Sequence, residues 1–418
     1  MRVWIINHYA IPPSMGGLVR HYYFSKFLRQ MGHQVRIFTA SEIHNTNINM
    51  IRDGSLYKEE EMDGVPYTFL KTRDYSGNGL SRIYNMLEFP VRIQQAVKHF
   101  AKNGEKPDVI YTSAPTIFAA GSALIAAKRL KVPCVVEIRD IWPESIVEYK
   151  GMSRKNLIIL VLYQLEKWLY KNADRLIFTM EGGKDYIREK GWEKKISLDK
   201  IDNLNNGVDL EEFDRNRETF RLDDPDLLDD ETFKVVYTGS IRLVNNLGKI
   251  VEMAEYMKEH GEDKIKFLLY GDGTEREELI KLCQEKGLDN IKFPGKVEKK
   301  YILSRSDLNI NHVKQTGIMR FGCSLNKQFD YFASGRPVLS DLTVSYDLIE
   351  RYQAGITLPT QDTETLCKEV LRFANMPKEE YEQICKNART AAEHYDYREL
   401  TNHLLAILEN AVGQNQTK

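Results

Sequence analysis

Two adjacent glycines near the start of the chain, Gly16 and Gly17, stand between a short apolar run and a helical pattern. Glycine lets a ligand approach the main chain, and the N-terminus of a helix favours an anion. Arg20 and His21 fall in the first turn of that helix and add to the positive end. The pair therefore indicates a phosphate contact, with an ordinary turn as the alternative.

A second stretch, SLNKQFDYFASGRPVLSD at 324–341, places a cation at a helix start. Ser324, Asn326 and Lys327 open the predicted helix, where the helix dipole already attracts an anion. Asp330 lies about one turn further in and could accept hydrogen bonds from a diol. A capped helix with solvated charges is the alternative interpretation.

A third stretch, VVEIRDIWPES at 135–145, ends a buried strand in charged residues. Arg139 and Asp140 follow the strand directly and Glu144 closes the stretch. Side chains at the carboxyl ends of strands in an open α/β sheet face the ligand-binding edge. This predicts a binding role, although a structural Arg139–Asp140 pair would fit the same pattern.

Two weaker stretches are glycine turns that follow or join predicted elements. Gly271 and Gly273 flank an aspartate after an apolar run, and NNG at 205–207 lies at the join between the halves of the chain. Both are common turn sequences. Without further context the NNG turn is interpreted as a hinge and the other turn as a weak phosphate-loop candidate.

Several classes of site are excluded by the motifs that the sequence lacks. It contains no HExxH, GxSxG or Walker A pattern, and its 5 cysteines show no CxxC spacing. We therefore expect no metal site and no bound cofactor. Residues 1–206 hold 30 Lys and Arg against 22 Asp and Glu, and the remainder holds 29 against 38. This asymmetry favours an anionic partner for the first half, and no nucleic-acid-binding signature is present.

The elements that position these residues alternate between short apolar runs and helical patterns, which predicts parallel sheets covered on both faces. The pattern restarts near 233. We predict an α/β protein with two Rossmann-like, doubly wound domains facing a central cleft. The predicted domains are 1–206 and 233–394, with a linker at 207–232 and a C-terminal helix at about 395–418 that packs back on the first domain.

Taken in order, the motifs resemble glycosyltransferase family 4, of GT-B fold. The resemblance covers almost the whole chain and rests on PP at 12–13, Gly16-Gly17, GHQV at 32–35, NGVD at 206–209, GDG at 271–273 and ASGRPV at 333–338. The phrases EIRDIWPES and SLNKQFDYFASGRPV look like a branch that builds bacterial capsule and O-antigen chains. Members of that branch are often described as L-fucosamine-type transferases.

The resemblance implies a retaining transfer from a nucleotide sugar, UDP-linked by family precedent, without a metal ion. It places the donor on the second domain, against Gly239, Ser240, Gly271, Gly273, Ser324, Asn326 and Asp330, and it brings Gly16 and Gly17 to the donor diphosphate. Some residues depart from the family. Ser240 and Asn246 stand where the family carries cations, so Arg242 and Lys327 are the expected substitutes. Gly322 replaces the first of two paired acids.

Three residues are expected to be catalytic in this interpretation. Arg242 and Lys327 would stabilise the departing diphosphate, and Asp140 would orient or partly deprotonate the acceptor hydroxyl. Arg139 stands before Asp140 where many family members have a histidine. Arg139, Asp140 and Glu144 form the predicted acceptor site.

The implied acceptor is a lipid-linked saccharide at the cytoplasmic face of the inner membrane. The protein would then be cytoplasmic, and peripheral contact with that membrane stays open. The segment KNLIILVLYQLEKWLYK at 155–171 fits either an interfacial helix or a core helix. Two other functions also stay open, namely a GT-B sugar-nucleotide epimerase or phosphorylase, and a non-catalytic sugar-nucleotide-binding partner of an assembly complex.

Overall fold

A computed structural model describes residues 1–44, 46–75, 77, 79–114, 116–297 and 299–416, without the side chains of 299, 300 and 416. The chain divides into two compact units. Unit 1 comprises residues 1–205 and 397–418, and unit 2 comprises residues 206–396. The change of unit at 396–397 lies close to the predicted position at 395.

In the described residues, fourteen strands form the two sheets. They are β1 Arg2–Ile6, β2 Gln34–Ala40, β3 Tyr57–Met62, β4 Val65–Leu70, β5 Val109–Ser113, β6 Cys134–Ile138, β7 Arg175–Phe178, β8 Ile201–Asn203, β9 Phe233–Thr238, β10 Ile265–Tyr270, β11 Ile291–Gly295, β12 Leu308–Asn311, β13 Val338–Ser340 and β14 Gly355–Thr357. Most of these strands are rich in apolar residues and largely buried, because parallel strands are covered on both faces.

Sixteen α-helices connect and follow these strands. They are α1 Arg20–Gln30, α2 Leu80–Lys102, α3 Ile117–Leu130, α4 Glu144–Lys150, α5 Leu157–Asn172, α6 Gly183–Glu189, α7 Leu210–Thr219, α8 Pro225–Leu228, α9 Gly248–Glu259, α10 Arg276–Glu285, α11 Lys299–Arg305, α12 Asn326–Ser334, α13 Leu348–Tyr352, α14 Thr363–Ala374, α15 Lys378–His394 and α16 Tyr397–Gln416. Side-chain caps start several of them; the Thr116 hydroxyl, for example, accepts from the Ala119 N–H of α3.

The sheet of unit 1 has the order β3-β4-β2-β1-β5-β6-β7-β8, and only the β3–β4 pair is antiparallel. Strand order reverses between β1 and β5, which is the switch point of a doubly wound sheet. Helix α3 packs against both α2 and α5, so these helices share one layer, whereas α16 packs against α1. Leu404 and Leu408 of α16 are fully buried.

The sheet of unit 2 has the order β11-β10-β9-β12-β13-β14, the 3-2-1-4-5-6 order of a dinucleotide-binding fold. Its switch point lies between β9 and β12, where Val235 pairs with Leu308. The core between the sheet and its helices includes Phe267, Met257 and Val370, all inaccessible to solvent. The predicted α/β class with two doubly wound parallel sheets is confirmed.

The segment 207–232, predicted as a linker, instead belongs to unit 2. Asp209 caps α7 by accepting from the Glu212 N–H, and α7 and α8 both pack on α11. Phe213 is fully buried. One buried residue per helix, Phe213 in α7 and Leu227 in α8, anchors an otherwise acidic surface stretch, which is why composition alone suggested a connector.

Candidate functional site

The carboxyl ends of β9, β12 and β13 are tied together by His312, a residue that the sequence did not single out for function. Its Nδ1 contacts the Asp341 carboxylate, and its Nε2 lies 3.0 Å from the Asn246 carbonyl oxygen. Both His312 and Asp341 are buried. The loop after β9 is thereby held against the loops after β12 and β13 at the switch point, where ligands bind in sheets of this order.

Lys327 lies in the same place. Its ammonium donates to the His312 carbonyl at 2.8 Å and lies 4.5 Å from the centroid of the Tyr237 ring. Burial lowers the pKa of Lys327 to about 7, with small opposing contributions from Cys323 and Asp341. In the part of unit 2 that the structure describes, Lys327 has no carboxylate within 4 Å. An anionic ligand would supply the missing countercharge.

The glycines of the loops after β9 and β10 pack against one another. A side chain on Gly271 would place its Cβ 1.7 Å from the Gly239 carbonyl oxygen, and one on Gly273 would lie 2.1 Å from that of Ile241. Main-chain bonds join the loops, since the Ile241 N–H donates to the Asp272 carbonyl at 2.9 Å. This packing is sufficient reason for both glycines, so their predicted donor contact stays a prediction.

The loop after β9 is exposed at Gly239, Ser240 and Arg242. The Asn245 amide donates to the Ser240 carbonyl and hydroxyl, at 2.7 and 2.9 Å, and shapes the loop. The Arg242 guanidinium has no recorded partner among the described residues. Ser240 stands in the position predicted for a cation, and Arg242 lies two residues further along the same loop.

The start of α12 holds the remaining predicted donor contacts. The Ser324 hydroxyl accepts from the Asn206 N–H at 2.9 Å, and its carbonyl accepts from the Asn206 amide at 2.6 Å. Asn326 is exposed, whereas Asp330 is buried within the helix. Gly322 has φ +90° and ψ 176°, a conformation that side-chain-bearing residues rarely adopt, so the family's first acid would be strained there.

In unit 1, the two opening glycines differ in their surroundings. A Cβ on Gly16 would lie 3.2 Å from Cγ2 of Ile11, whereas a Cβ on Gly17 would meet nothing within 4 Å. Neither glycine has a positive φ. The structure therefore gives no packing reason for glycine at position 17, and the predicted phosphate contact remains untested.

Arg20 and His21 do not serve an anion at the start of α1, which corrects the sequence interpretation. Arg20 Nε donates to Glu137 Oε1 at 2.8 Å, and its Nη1 donates to the Asn205 carbonyl at 2.6 Å. Arg20, His21 and Glu137 are all buried. Burial would raise the pKa of Glu137, but Arg20, followed by His21, holds it well below its usual range. The network ties α1 to β6.

Glu144, predicted as an acceptor contact, is buried in a saturated network. Its Oε1 accepts from Arg154, and its Oε2 accepts from Tyr163 at 2.5 Å and from Lys190 at 2.7 Å. Burial opposes ionisation, yet the bonds from Lys190, Tyr163 and Arg154 lower the pKa to about 2. These contacts fill the acceptor positions of the carboxylate and argue for a structural role.

Arg139 and Asp140 remain candidates at the carboxyl end of β6. Asp140 is exposed, and Arg139 is partly exposed. The alternative interpretation, an ion pair between Arg139 and Asp140, is not found in the part of the chain that the structure describes. Both side chains are therefore available to a ligand at this edge of the unit 1 sheet.

A group that the sequence analysis missed lies at the same edge, after β2 and β4. Glu42 is 5% exposed, and burial together with Asp74 raises its pKa to about 7. The ring of His44 lies 2.5 Å from the Tyr75 hydroxyl. The sequence did offer a signal for Glu42, because a carboxyl group shortly after a strand indicated a ligand-binding position at Asp140 as well.

The structure thus brings the predicted residues together in two sets, one in each unit. In unit 2, Gly239, Ser240, Arg242, Gly271 and Gly273 lie on loops at one edge of the sheet. Ser324 lies just before α12, and Asn326, Lys327 and Asp330 lie within its first five residues. In unit 1, Gly16, Gly17, Arg139 and Asp140 lie on loops at the carboxyl edge.

Two family models match the chain, one in each half. The model described as "Glycosyl transferase 4-like domain" matches residues 16–197, and the model described as "Glycosyl transferases group 1" matches residues 232–376. Together they span most of the chain and leave the connecting segment and the last helices outside.

A curated relative and several solved structures agree with these models. "Putative colanic acid biosynthesis glycosyl transferase WcaI" of Escherichia coli (strain K12) is 22% identical over 275 residues, which are 64% of this chain and 65% of the relative. Sucrose-phosphate synthase from Thermosynechococcus elongatus has a TM-score of 0.71 at 16% identity and covers 99% of both chains.

A second similar structure is that of Anabaena HepE in complex with UDP-glucose. Its TM-score is 0.66 at 15% identity, and the match covers 98% of this chain and 100% of HepE. At such identities these structures show the fold alone, which is the GT-B fold. The two family models, which together match most of the chain, identify a glycosyltransferase with a family 4-like first domain and a group 1 second domain, and the solved structures show its GT-B fold.

Proposed function

We propose that the protein transfers a hexose-type sugar from a UDP-linked donor, with retention of anomeric configuration, to a lipid-linked saccharide in bacterial surface polysaccharide synthesis. The observation that carries the proposal is the gathering of Lys327, the Asn246–His312 contact and two glycine loops at the switch point of unit 2. A partly buried lysine with no carboxylate within 4 Å in the described part of unit 2, beside exposed main chain, suits a diphosphate. The UDP-glucose complex of HepE supports UDP as the first nucleotide to test.

The proposed chemistry breaks the bond between the anomeric carbon and the diphosphate oxygen, and the electron pair leaves with the diphosphate. The acceptor oxygen forms the new bond from the same face of the sugar, and its proton passes to the departing phosphate. Lys327 and Arg242 stabilise the charge that develops on the leaving group, which is the largest catalytic contribution in such sites. We propose that these cations take the place of a metal ion.

The other residues have positioning roles in this proposal. Gly17 offers its main-chain N–H group to the diphosphate, whereas the Gly16 N–H donates to the Pro12 carbonyl at 3.2 Å and Gly16 only keeps the approach free of a side chain. Asp330 binds the ribose hydroxyls. Asp140 orients the acceptor hydroxyl, with Arg139 beside it. Glu42, whose raised pKa keeps it near its titration point at neutral pH, is a further candidate for an acceptor contact.

A lipid-linked acceptor is supported by the outer surface of one helical layer of unit 1. Helix α2 exposes a stripe with helical spacing, and α5 exposes a second; they consist of Leu80, Ile83, Tyr84, Leu87 and Val91, and of Leu157, Ile158, Leu160 and Val161. The inward residues of α5, such as Ile159, are buried, so this helix serves the core and exposes apolar surface as well. No helix in the described residues is long and apolar enough to cross a membrane.

These stripes lie in the basic half of the chain, which carries an excess of 8 positive charges over residues 1–206. Apolar side chains with surrounding lysines and arginines favour the surface of an anionic bilayer. We propose that unit 1 rests on the cytoplasmic face of the inner membrane through these stripes, where a lipid-linked acceptor is held.

The proposal is tested by measuring UDP release from a panel of UDP-sugars in the presence and absence of a lipid diphosphate saccharide. UDP release that requires the acceptor would support sugar transfer. An anomeric configuration in the product that matches that of the donor sugar, as measured by NMR, would support retention. Interconversion of UDP-sugars without acceptor would indicate an epimerase instead. Nucleotide binding with neither reaction would indicate the non-catalytic partner. Activity that survives EDTA would support metal independence.

A further inference from the structure

Unit 2 contains a cavity at the edge of its sheet opposite the candidate donor site. The cavity has a volume of about 540 Å³ and is lined by four arginines, Arg217, Arg221, Arg305 and Arg336. Arg305 ends α11 shortly before β12 begins, and Arg336 lies two residues before β13. The cavity therefore lies at the amino-terminal ends of these strands, whereas the donor loops follow carboxyl ends. We refer to it as the arginine cavity.

The positive charge in the arginine cavity is largely uncompensated. In the described part of the chain, Arg217 alone among the four has a carboxylate within 4 Å, Asp214 at 3.5 Å. Asp214 is itself held at 2.5 Å by Arg389. A cluster of like charges without counterions costs free energy, which a bound anion would recover.

The structural contacts of these arginines leave donors free. Arg221 Nη1 donates to the Arg217 and Phe220 carbonyls at 3.1 and 3.0 Å, and Arg336 Nη2 donates to the Ser304 carbonyl at 3.0 Å. A guanidinium has five N–H groups, so further bonds can be made. Arginines at helix C-termini also offset the helix dipole. The helix dipole does not explain, however, why arginines from several helix ends line one cavity.

The size and chemistry of the cavity define its ligand. A volume of this order suits a small molecule, and guanidinium groups match phosphate oxygens in a bidentate geometry. Four arginines exceed what a single monoanion requires. We propose that the arginine cavity is a second binding site, separate from the sugar-transfer site, for a small molecule that carries a diphosphate group.

The test is isothermal titration of the full chain with inorganic pyrophosphate and, separately, with UDP. The double variant Arg221→Ala/Arg305→Ala removes two exposed side chains that line the cavity, so the fold should be kept. Lys264→Ala/Lys292→Ala removes the same charge from exposed positions of unit 2 outside the cavity. Arg242→Ala removes a cation from the candidate donor site.

We expect the arginine double variant to bind pyrophosphate at the arginine cavity at least tenfold more weakly than the unmodified chain, while the lysine control retains this binding. Arg242→Ala should weaken only the pyrophosphate held at the candidate donor site. A second UDP per chain that disappears in the arginine variant would identify a nucleoside diphosphate as the ligand source. Pyrophosphate without a second UDP would identify a free or non-nucleotide diphosphate. Equal pyrophosphate affinity in all four proteins, or loss in Arg242→Ala alone, would overturn the proposal. Loss of UDP binding in Arg242→Ala bears instead on the sugar-transfer site.

Discussion

Lys327 illustrates how a single residue acquires function from its surroundings. Its ammonium lies between the His312 carbonyl and the face of Tyr237, and both favour a cation. Burial is nevertheless the larger effect and lowers the pKa to about 7. The side chain is thus poised to take up a proton when a phosphate arrives, because the new negative charge raises the pKa again.

The first prediction follows from this linkage. Since proton uptake accompanies binding above the pKa of the free protein, affinity for UDP-glucose should increase as the pH falls from about 9 to 7 and level off below that. Lys327→Arg, which stays charged over this range, should bind with little pH dependence. The check is a series of calorimetric titrations between pH 6 and 9. An unchanged pH profile in Lys327→Arg would show that another group titrates.

Gly17 provides a second prediction at the residue scale. Because a Cβ there meets nothing within 4 Å, Gly17→Ala should leave the melting temperature unchanged. If its main chain contacts the diphosphate, kcat/KM for the donor should fall by about tenfold, or about 1.4 kcal/mol. Gly54→Ala, in the same unit and equally unobstructed, is the matched control. Equal kcat/KM in both variants would remove Gly17 from the donor site.

At the scale of elements, the loops after parallel strands depend on close main-chain packing. The loops after β9 and β10 approach each other so closely that Gly271 and Gly273 have no room for a Cβ. A side chain at either position would push the loop after β9 away and disturb the segment that carries Arg242. Stability and candidate site geometry are therefore coupled through the same backbone contact.

We accordingly predict that Gly271→Ala lowers the free energy of unfolding by about 3 kcal/mol or more, since strain of this kind falls in the upper range of single substitutions. Gly248→Ala, at the first turn of α9 with open space around it, should be neutral or stabilising by up to about 1 kcal/mol. Denaturant unfolding of the two variants measures both effects. A neutral Gly271→Ala would mean that the loops can separate without cost.

The apolar stripe of α2 leads to a second prediction at the scale of elements. Replacing Leu80, Ile83 and Leu87 by serine removes exposed apolar surface only, so the melting temperature should stay within about 2 °C of the original. Binding to vesicles with anionic lipid should fall at least tenfold, because each exposed side chain contributes about 1.5 kcal/mol on burial. Cosedimentation measures the binding. Retained binding would indicate that the stripe does not contact the bilayer.

At the scale of the molecule, the chain leaves unit 1, completes unit 2 and returns through α16. Tyr23 of α1 stacks on Tyr397 at 4.6 Å, and α16 also packs against β5 and β6. Leu404, Leu408 and Ala411 are buried in this interface. Unit 1 is therefore incomplete without α16.

Ending the chain after Asp396 should destabilise unit 1 by several kcal/mol, since each buried leucine contributes about 1.5–3 kcal/mol. Hydrogen exchange should show faster exchange in β5 and β6, with the strands of unit 2 unchanged. A chain that ends after Gln414 keeps the buried residues and serves as the control. Native protection of β5 and β6 after the longer truncation would contradict the role given to α16.

Several elements were predictable because a local pattern decided them. The runs at β6, β9 and β10 are mostly apolar, with one charged residue each, as suits largely buried strands of parallel sheets. The β3–β4 hairpin was missed because YKEEEM in β3 is polar; it lies at the sheet edge, where solvent covers one side.

The sequence by itself determined the fold class, the family resemblance and the loops on which ligand-binding residues lie, because strand periodicity and turn chemistry are local. Only the tertiary structure decided which charges are free to bind. It placed Arg20 and Glu144 in internal ion networks, left Lys327 with no carboxylate within 4 Å among the described residues, and gathered distant arginines around one cavity. The partner of a charged side chain is fixed by residues far along the chain, and spacing in the sequence carries no record of it.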